Sequence, residues 1–174
     1  MMCPYFYSDY KEVLLKNKNY SISDIYGIIS LRGDQMDINS LNRFIDAQDR
    51  MYQTALREIK NGRKCSHWIW YIFPQLRGLG SSEMAYTYGI SGIKEAEEYL
   101  AHPILSARLI EITEALLTHK GKDIYDIMGD IDGMKLKSSM TLFALIVEEG
   151  SVFHQVLESF YGGKMDNTTL NFLK

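Results

Sequence analysis

Both tryptophans of the chain lie in one short stretch, Lys64–Ser82, which reads KCSHWIWYIFPQLRGLGSS. An indole stacks on planar rings, and its N–H needs a partner when buried, so Trp68 and Trp70 suit a pocket wall with one polar edge. Lys64 and Arg77 supply positive charge, and Gln75 adds an amide. Gly78-Leu79-Gly80 permits positive φ and close approach of a ligand to the backbone. With Ser82 opening a helix behind it, the turn resembles an anion-binding arrangement of free N–H groups. An imidazole can donate or accept a proton, so His67 is the candidate for acid–base catalysis. Each feature also has a plainer explanation. Aromatic residues mostly pack, and glycines mostly punctuate turns.

Two further groups belong with this segment. Lys135, Ser138 and Ser139 stand where the most apolar helix is expected to start, and hydroxyls and lysines at a helix start bind anions or serve as caps. Gln48 falls on the apolar stripe of the first helix, where a polar side chain must find a partner. It is expected to point into the same pocket. His102, before Pro103, reads as a helix cap.

Other chemistries fail specific checks. No Gly-Lys-Ser/Thr closes the glycine turn as a phosphate-binding loop would require. No alternating βα pattern supports a dinucleotide fold. His67, His102, His119 and His154 show no metal-ligand spacing, so no metal and no cofactor are expected. Cys65 and His67 are too close in sequence for a dyad, which is normally assembled from different elements. No G-x-S-x-G elbow exists.

The elements that must position these residues read as helices. Leu41, Phe44, Ile45, Gln48, Tyr52, Ala55, Leu56 and Ile59 follow helical spacing, which predicts a helix over 40–61 with caps among Asp37, Asn39 and Ser40. The run 67–73 is a buried strand or a buried helix. Short helices follow after Ser82, after Ser91, from Pro103 to Gly121, and over 123–128. Residues 134–147 are apolar on most faces and read as a central core helix. Val152–Phe160 and Thr168–Leu173 complete the chain, with Asp166 or Asn167 as a cap. Strand signals are scarce. The expected fold is all-α: a single-domain multi-helical bundle of short helices around a central apolar helix over 37–174, with a tyrosine-rich N-terminal extension over 1–36.

Length and composition agree. A chain of 174 residues, 46% hydrophobic and 24% charged, holds one ordinary globular core. The formal net charge of −3 gives no general attraction to a nucleic acid polymer or an anionic membrane. No apolar run approaches membrane-spanning length, and two cysteines make no disulfide framework. A cytoplasmic location is expected.

The blocks RFIDAQDRMY (43–52), GRKCSHWIWYIFPQLRGLGSS (62–82), AYTYGI (85–90), EAEEYLAHPIL (95–105), KLKSSMTLF (135–143) and GGKMDNTTL (162–170) carry a resemblance. Over 37–173 the chain resembles domain-of-unknown-function family eighteen-ten, whose members are often labelled calpastatin. The resemblance implies an all-helical fold and no particular activity. The calpastatin label would imply a disordered inhibitor, which this ordered, apolar sequence contradicts. Where the family usually has Gly-Pro the chain has Ser106-Ala107, and where it usually has Arg the chain has Lys137.

Two functions are consistent with these residues. In the first, the protein binds, and processes, a small anionic ligand with an aromatic ring, of the nucleotide, NAD or ADP-ribose type. Trp68 or Trp70 would stack on the base, while Lys64, Arg77 and the Gly78–Ser82 backbone hold phosphate. In the second, it is a non-catalytic interaction module whose arm, 1–36, docks on a partner or forms a homo-oligomer.

Overall fold

The computed structural model describes residues 38–174, with side chains from Leu41 onward. The expectations placed on the tyrosine-rich arm, on Asp37 as a cap and on oligomerisation through 1–36 fall outside the described residues.

The described residues form helices only. In chain order these are α1 (Ile38–Lys60), α2 (Ile69–Ile72), α3 (Glu83–Thr87), α4 (Ile93–Ala101), α5 (Pro103–Leu117), α6 (Ile124–Met128), α7 (Asp130–Ala144), α8 (Val152–Tyr161) and α9 (Asn167–Phe172). The all-α expectation holds. Long α1 lies along α5, burying Leu41, Phe44, Gln48, Tyr52, Ala55 and Ile59 from its predicted stripe.

The central helix is α7, which packs against α2, α4, α6, α8 and α9. Its C-terminal half, Ser139–Ala144, is buried on every face. Its register corrects the expected 134–147, because it begins at Asp130. Asp130 and Asp132 complement the partial positive charge of its first turn. Gly133 sits inside the helix because the Tyr125 ring packs on its Cα, where a Cβ would lie 2.7 Å from the ring. Lys135, Ser138 and Ser139 are therefore more than one turn inside the helix, and their backbone N–H groups do not form an open helix start.

Several ends match their sequence signals. Ser82 accepts from the Ala85 N–H, Asp123 from Tyr125, and Asp166 from Thr169. His102 caps α5 through Nδ1, and Pro103 fills the first helical position. The run 67–73 forms the single turn α2 rather than a strand. The helix expected after Ser91 starts at Ile93 behind Gly92, and α5 ends at Leu117 instead of Gly121.

Between α2 and α4 the chain makes an excursion that is closed at its base. The Arg77 N–H donates to the Ile90 carbonyl at 2.8 Å, and the Ile90 N–H to the Gln75 carbonyl at 2.9 Å, an isolated parallel bridge between Leu76 and Ile90. Gly89 permits this closure, since a Cβ there would lie 2.6 Å from the Arg77 Cα.

Among the described residues no helix is long and apolar enough to cross a membrane. No group of three or more His, Cys, Asp or Glu residues among them is placed to hold a metal ion.

Candidate functional site

Polar chemistry concentrates where the 63–75 segment meets α7. Glu58, near the end of α1, organises the first part of it. Its carboxylate accepts from the Cys65 N–H at 2.8 Å, the Ser66 N–H at 3.0 Å, the Ser66 hydroxyl, and Trp68 Nε1 at 2.8 Å. Burial raises the Glu58 pKa, but the bonds from Ser66, Cys65 and Trp68 outweigh it and hold the group at about 2. Trp68 is wholly buried with its N–H satisfied, so its indole belongs to the core.

Lys64 is drawn inward at the same place, with its side chain 6% exposed. Its ammonium pairs with Asp132 at 2.6 Å, donates to the Ser66 carbonyl at 2.5 Å, and lies 4.7 Å from the centre of the Trp68 ring. Asp132 also pairs with Lys135 at 3.0 Å. Burial raises the Asp132 pKa, and the two lysines more than reverse it, leaving the carboxyl below its ordinary range. Two ammonium groups thus share one carboxylate.

The Lys135 ammonium lies 4.6 Å from the centre of the Trp70 ring. Trp70 is partly exposed, yet its Nε1 is buried and has no hydrogen-bond partner. Gln75 Oε1 and Ser139 Oγ are buried and unpartnered too. Ser139 lies one helical turn beyond Lys135, on the same side of α7. Leaving such a group unsatisfied costs about 1–3 kcal/mol, and these three occur among the residues expected from sequence to bind a ligand.

The remaining candidates do other work or lie elsewhere. Gln48 is buried under α1. Its Nε2 donates to the Tyr71 carbonyl at 2.8 Å and the Tyr99 hydroxyl at 2.9 Å, and its Oε1 accepts from Arg108 at 3.4 Å, so it joins α1 to its neighbours. Ser138 donates to Asp166 at 3.0 Å, and Asp166 N–H donates to Thr141 Oγ1 at 2.8 Å, which fastens α9 to α7. Arg77 Nε donates to the Tyr86 carbonyl at 3.1 Å, with its guanidinium over the Tyr86 ring. Gly78, at φ +99°, packs against Phe172, and Gly80 packs against Ala85, where Cβ atoms would lie 3.0 and 2.7 Å away. These contacts give the glycine turn a packing reason. Ser82 is spent as the cap of α3, whose first turn carries the negative charge of Glu83. His67 is exposed and bonds to none of the site groups through its ring.

Glu58 and Asp132 escaped the sequence reading. The available signal for Glu58 was its place three residues after Ala55, at the margin of the apolar stripe. Asp132 stands three residues before Lys135, a helical pairing distance.

A family model described as protein of unknown function (DUF1810) matches residues 38–173. The chain is also similar to the crystal structure of the conserved hypothetical protein Rv1873 from Mycobacterium tuberculosis. The two are 44% identical, the match covers 79% of this chain and 98% of that one, and the TM-score is 0.76. No curated protein is significantly similar to the chain.

Proposed function

The chain belongs to the DUF1810 family of proteins of unknown function, and from that premise we propose that it binds a small anionic ligand carrying a planar ring, of the nucleotide, NAD or ADP-ribose type, at Trp70 and the adjoining side of α7. The observation that carries this reading is the sharing of Asp132 by Lys64 and Lys135 beside an indole whose N–H is buried without a partner. Two ammonium groups around one carboxylate stand at a partly exposed aromatic surface. An anion pairs with Lys135 there, and a ligand with both donors and acceptors satisfies Trp70 Nε1, Ser139 Oγ and Gln75 Oε1.

Within the cluster the lysines divide the work. Lys64 is enclosed by Asp132, the Ser66 carbonyl and the Trp68 ring, so it sets the local field. Lys135, with its side chain 22% exposed, is the cation that meets the ligand. The proposal is for binding. The acid–base role considered for His67 does not enter it, because that side chain joins none of these groups.

Calorimetric titration of the full chain with AMP, NAD and ADP-ribose tests the reading. Saturable binding by at least one of them is expected, weakened about tenfold or more in Lys135→Gln, an effect of about 1.4 kcal/mol. No heat of binding from any of the three at millimolar concentration overturns it.

A further inference from the structure

A concave region lies on the flank of α1. It is a cleft of about 260 Å³ lined by Asp46, Ala47, Arg50, Met51, Tyr71 and Tyr88. That volume falls below the roughly 300–1,000 Å³ of pockets for drug-sized ligands, so it suits something smaller. Asp46, Ala47, Arg50 and Met51 follow one face of α1, and the two tyrosine rings meet edge to face with centroids 5.1 Å apart. Gln48 fixes the wall from behind by holding the Tyr71 carbonyl.

Asp46 and Arg50, the two charges on this cleft, are both exposed. Asp46 and Arg50 stand one helical turn apart, with the acid N-terminal, an order in which such residues commonly pair. They form no ion pair with each other, and neither has a hydrogen-bond partner among the described residues. The cleft therefore offers a carboxylate and a guanidinium about 5–6 Å apart at the Cβ level, over a surface of two aromatic rings, a thioether and a methyl group.

We propose that this cleft binds a free α-amino acid with an apolar or aromatic side chain. The Asp46 carboxylate takes the α-ammonium, and the Arg50 guanidinium takes the α-carboxylate in a two-pronged contact. The side chain lies on Tyr71, Tyr88 and Met51, where ring edges and sulfur pack against apolar groups. A simple anion satisfies one end of the cleft and a simple amine the other, whereas a zwitterion satisfies both and fits the small volume.

The test uses the full chain with L-phenylalanine, L-methionine and L-leucine as probes, followed by calorimetry and by chemical-shift changes around Tyr71 and Tyr88. N-acetyl-L-phenylalanine, which lacks the ammonium, and L-phenylalaninamide, which lacks the carboxylate, serve as blocked controls. At least one free amino acid is expected to saturate the site, with its blocked forms at least about tenfold weaker. Asp46→Asn should abolish the penalty for N-acetylation, and Arg50→Gln the penalty for amidation. Both residues are exposed and unpartnered, so both variants should keep the wild-type melting temperature. Failure of all three amino acids to bind at millimolar concentration, or equal binding by the blocked forms, overturns the proposal. The Lys135→Gln variant should bind the amino acid normally, which separates this site from the proposed anion site.

Discussion

The segment from Arg63 to Trp68 and the segment from Trp70 to Gln75 are separated by Ile69 alone, yet their polar groups are handled in opposite ways. In the first, one buried carboxylate collects two backbone N–H groups, a hydroxyl and an indole N–H. In the second, an indole N–H and an amide carbonyl are buried with no partner, and the indole ring lies under Lys135 of α7. The difference teaches what each part is for. A fully satisfied network fixes the position of the chain. A partly satisfied one gives up stability at a place where a ligand can restore it.

The largest effect should come from breaking the satisfied side. Glu58→Ala leaves the Trp68 and loop donors buried without an acceptor and should cost about 3–5 kcal/mol, read by urea denaturation. The same carboxylate has a pH signature. Its folded pKa, about 2, lies below its ordinary 4.5, so its stabilisation is fully present above pH 4.5 and lost as pH falls through 2. The stability gap between wild type and Glu58→Gln should thus shrink only below pH 4.5. A gap of similar size at pH 3 and pH 7 would break the comparison.

His102 supplies an intermediate case, satisfied at one nitrogen and unpartnered at the other. Burial, and then Arg108, lower its pKa below the ordinary 6.5. The neutral ring is the form that caps α5, so the contribution is complete above pH 6.5 and declines as pH falls through the folded value. Stability should therefore drop on acidification. His102→Asn, which keeps an acceptor and does not titrate there, should flatten that part of the profile in thermal melts.

The unpartnered side predicts the opposite sign. Ser139→Ala removes a buried hydroxyl that bonds to nothing and should stabilise the free protein by up to about 1 kcal/mol, while weakening the proposed ligand. A stability loss above that size would show that Ser139 holds the fold instead. The smallest effect is expected from Lys135→Gln. Its pairing with Asp132 is partly exposed, so unfolding should change by less than about 1 kcal/mol, and the response should appear in ligand titrations.

Much of the fold was legible because local signals and burial agreed. The stripe on α1, Pro103 behind a capping His102, and Asp123 and Asp166 before short helices all announced their elements. The start of α7 was hidden because Asp130–Gly133 reads as a polar turn. Only the Tyr125 ring against Gly133 explains why glycine belongs inside that helix. At the site, residue types pointed to Lys135, Trp70, Gln75 and Ser139, but the division between Trp68 and Trp70 was not visible. It depends on Glu58 and Asp132, acidic side chains whose partners are distant in sequence. Gln48 shows the same limit: its burial was readable, and its partners Tyr71, Tyr99 and Arg108 were not.

The Leu76–Ile90 bridge gives residues 77–89 the character of a cassette. The chain leaves and re-enters the domain one strand spacing apart, roughly 5 Å. Gly89 lets the two ends meet, and Gly78 against Phe172 ties the excursion to α9. An insertion at its tip adds only the slowly growing entropy of a longer loop, whereas a side chain at Gly89 would push the two ends of the clasp apart. The backbone of Gln75, whose carbonyl accepts from the Ile90 N–H, is held by that clasp.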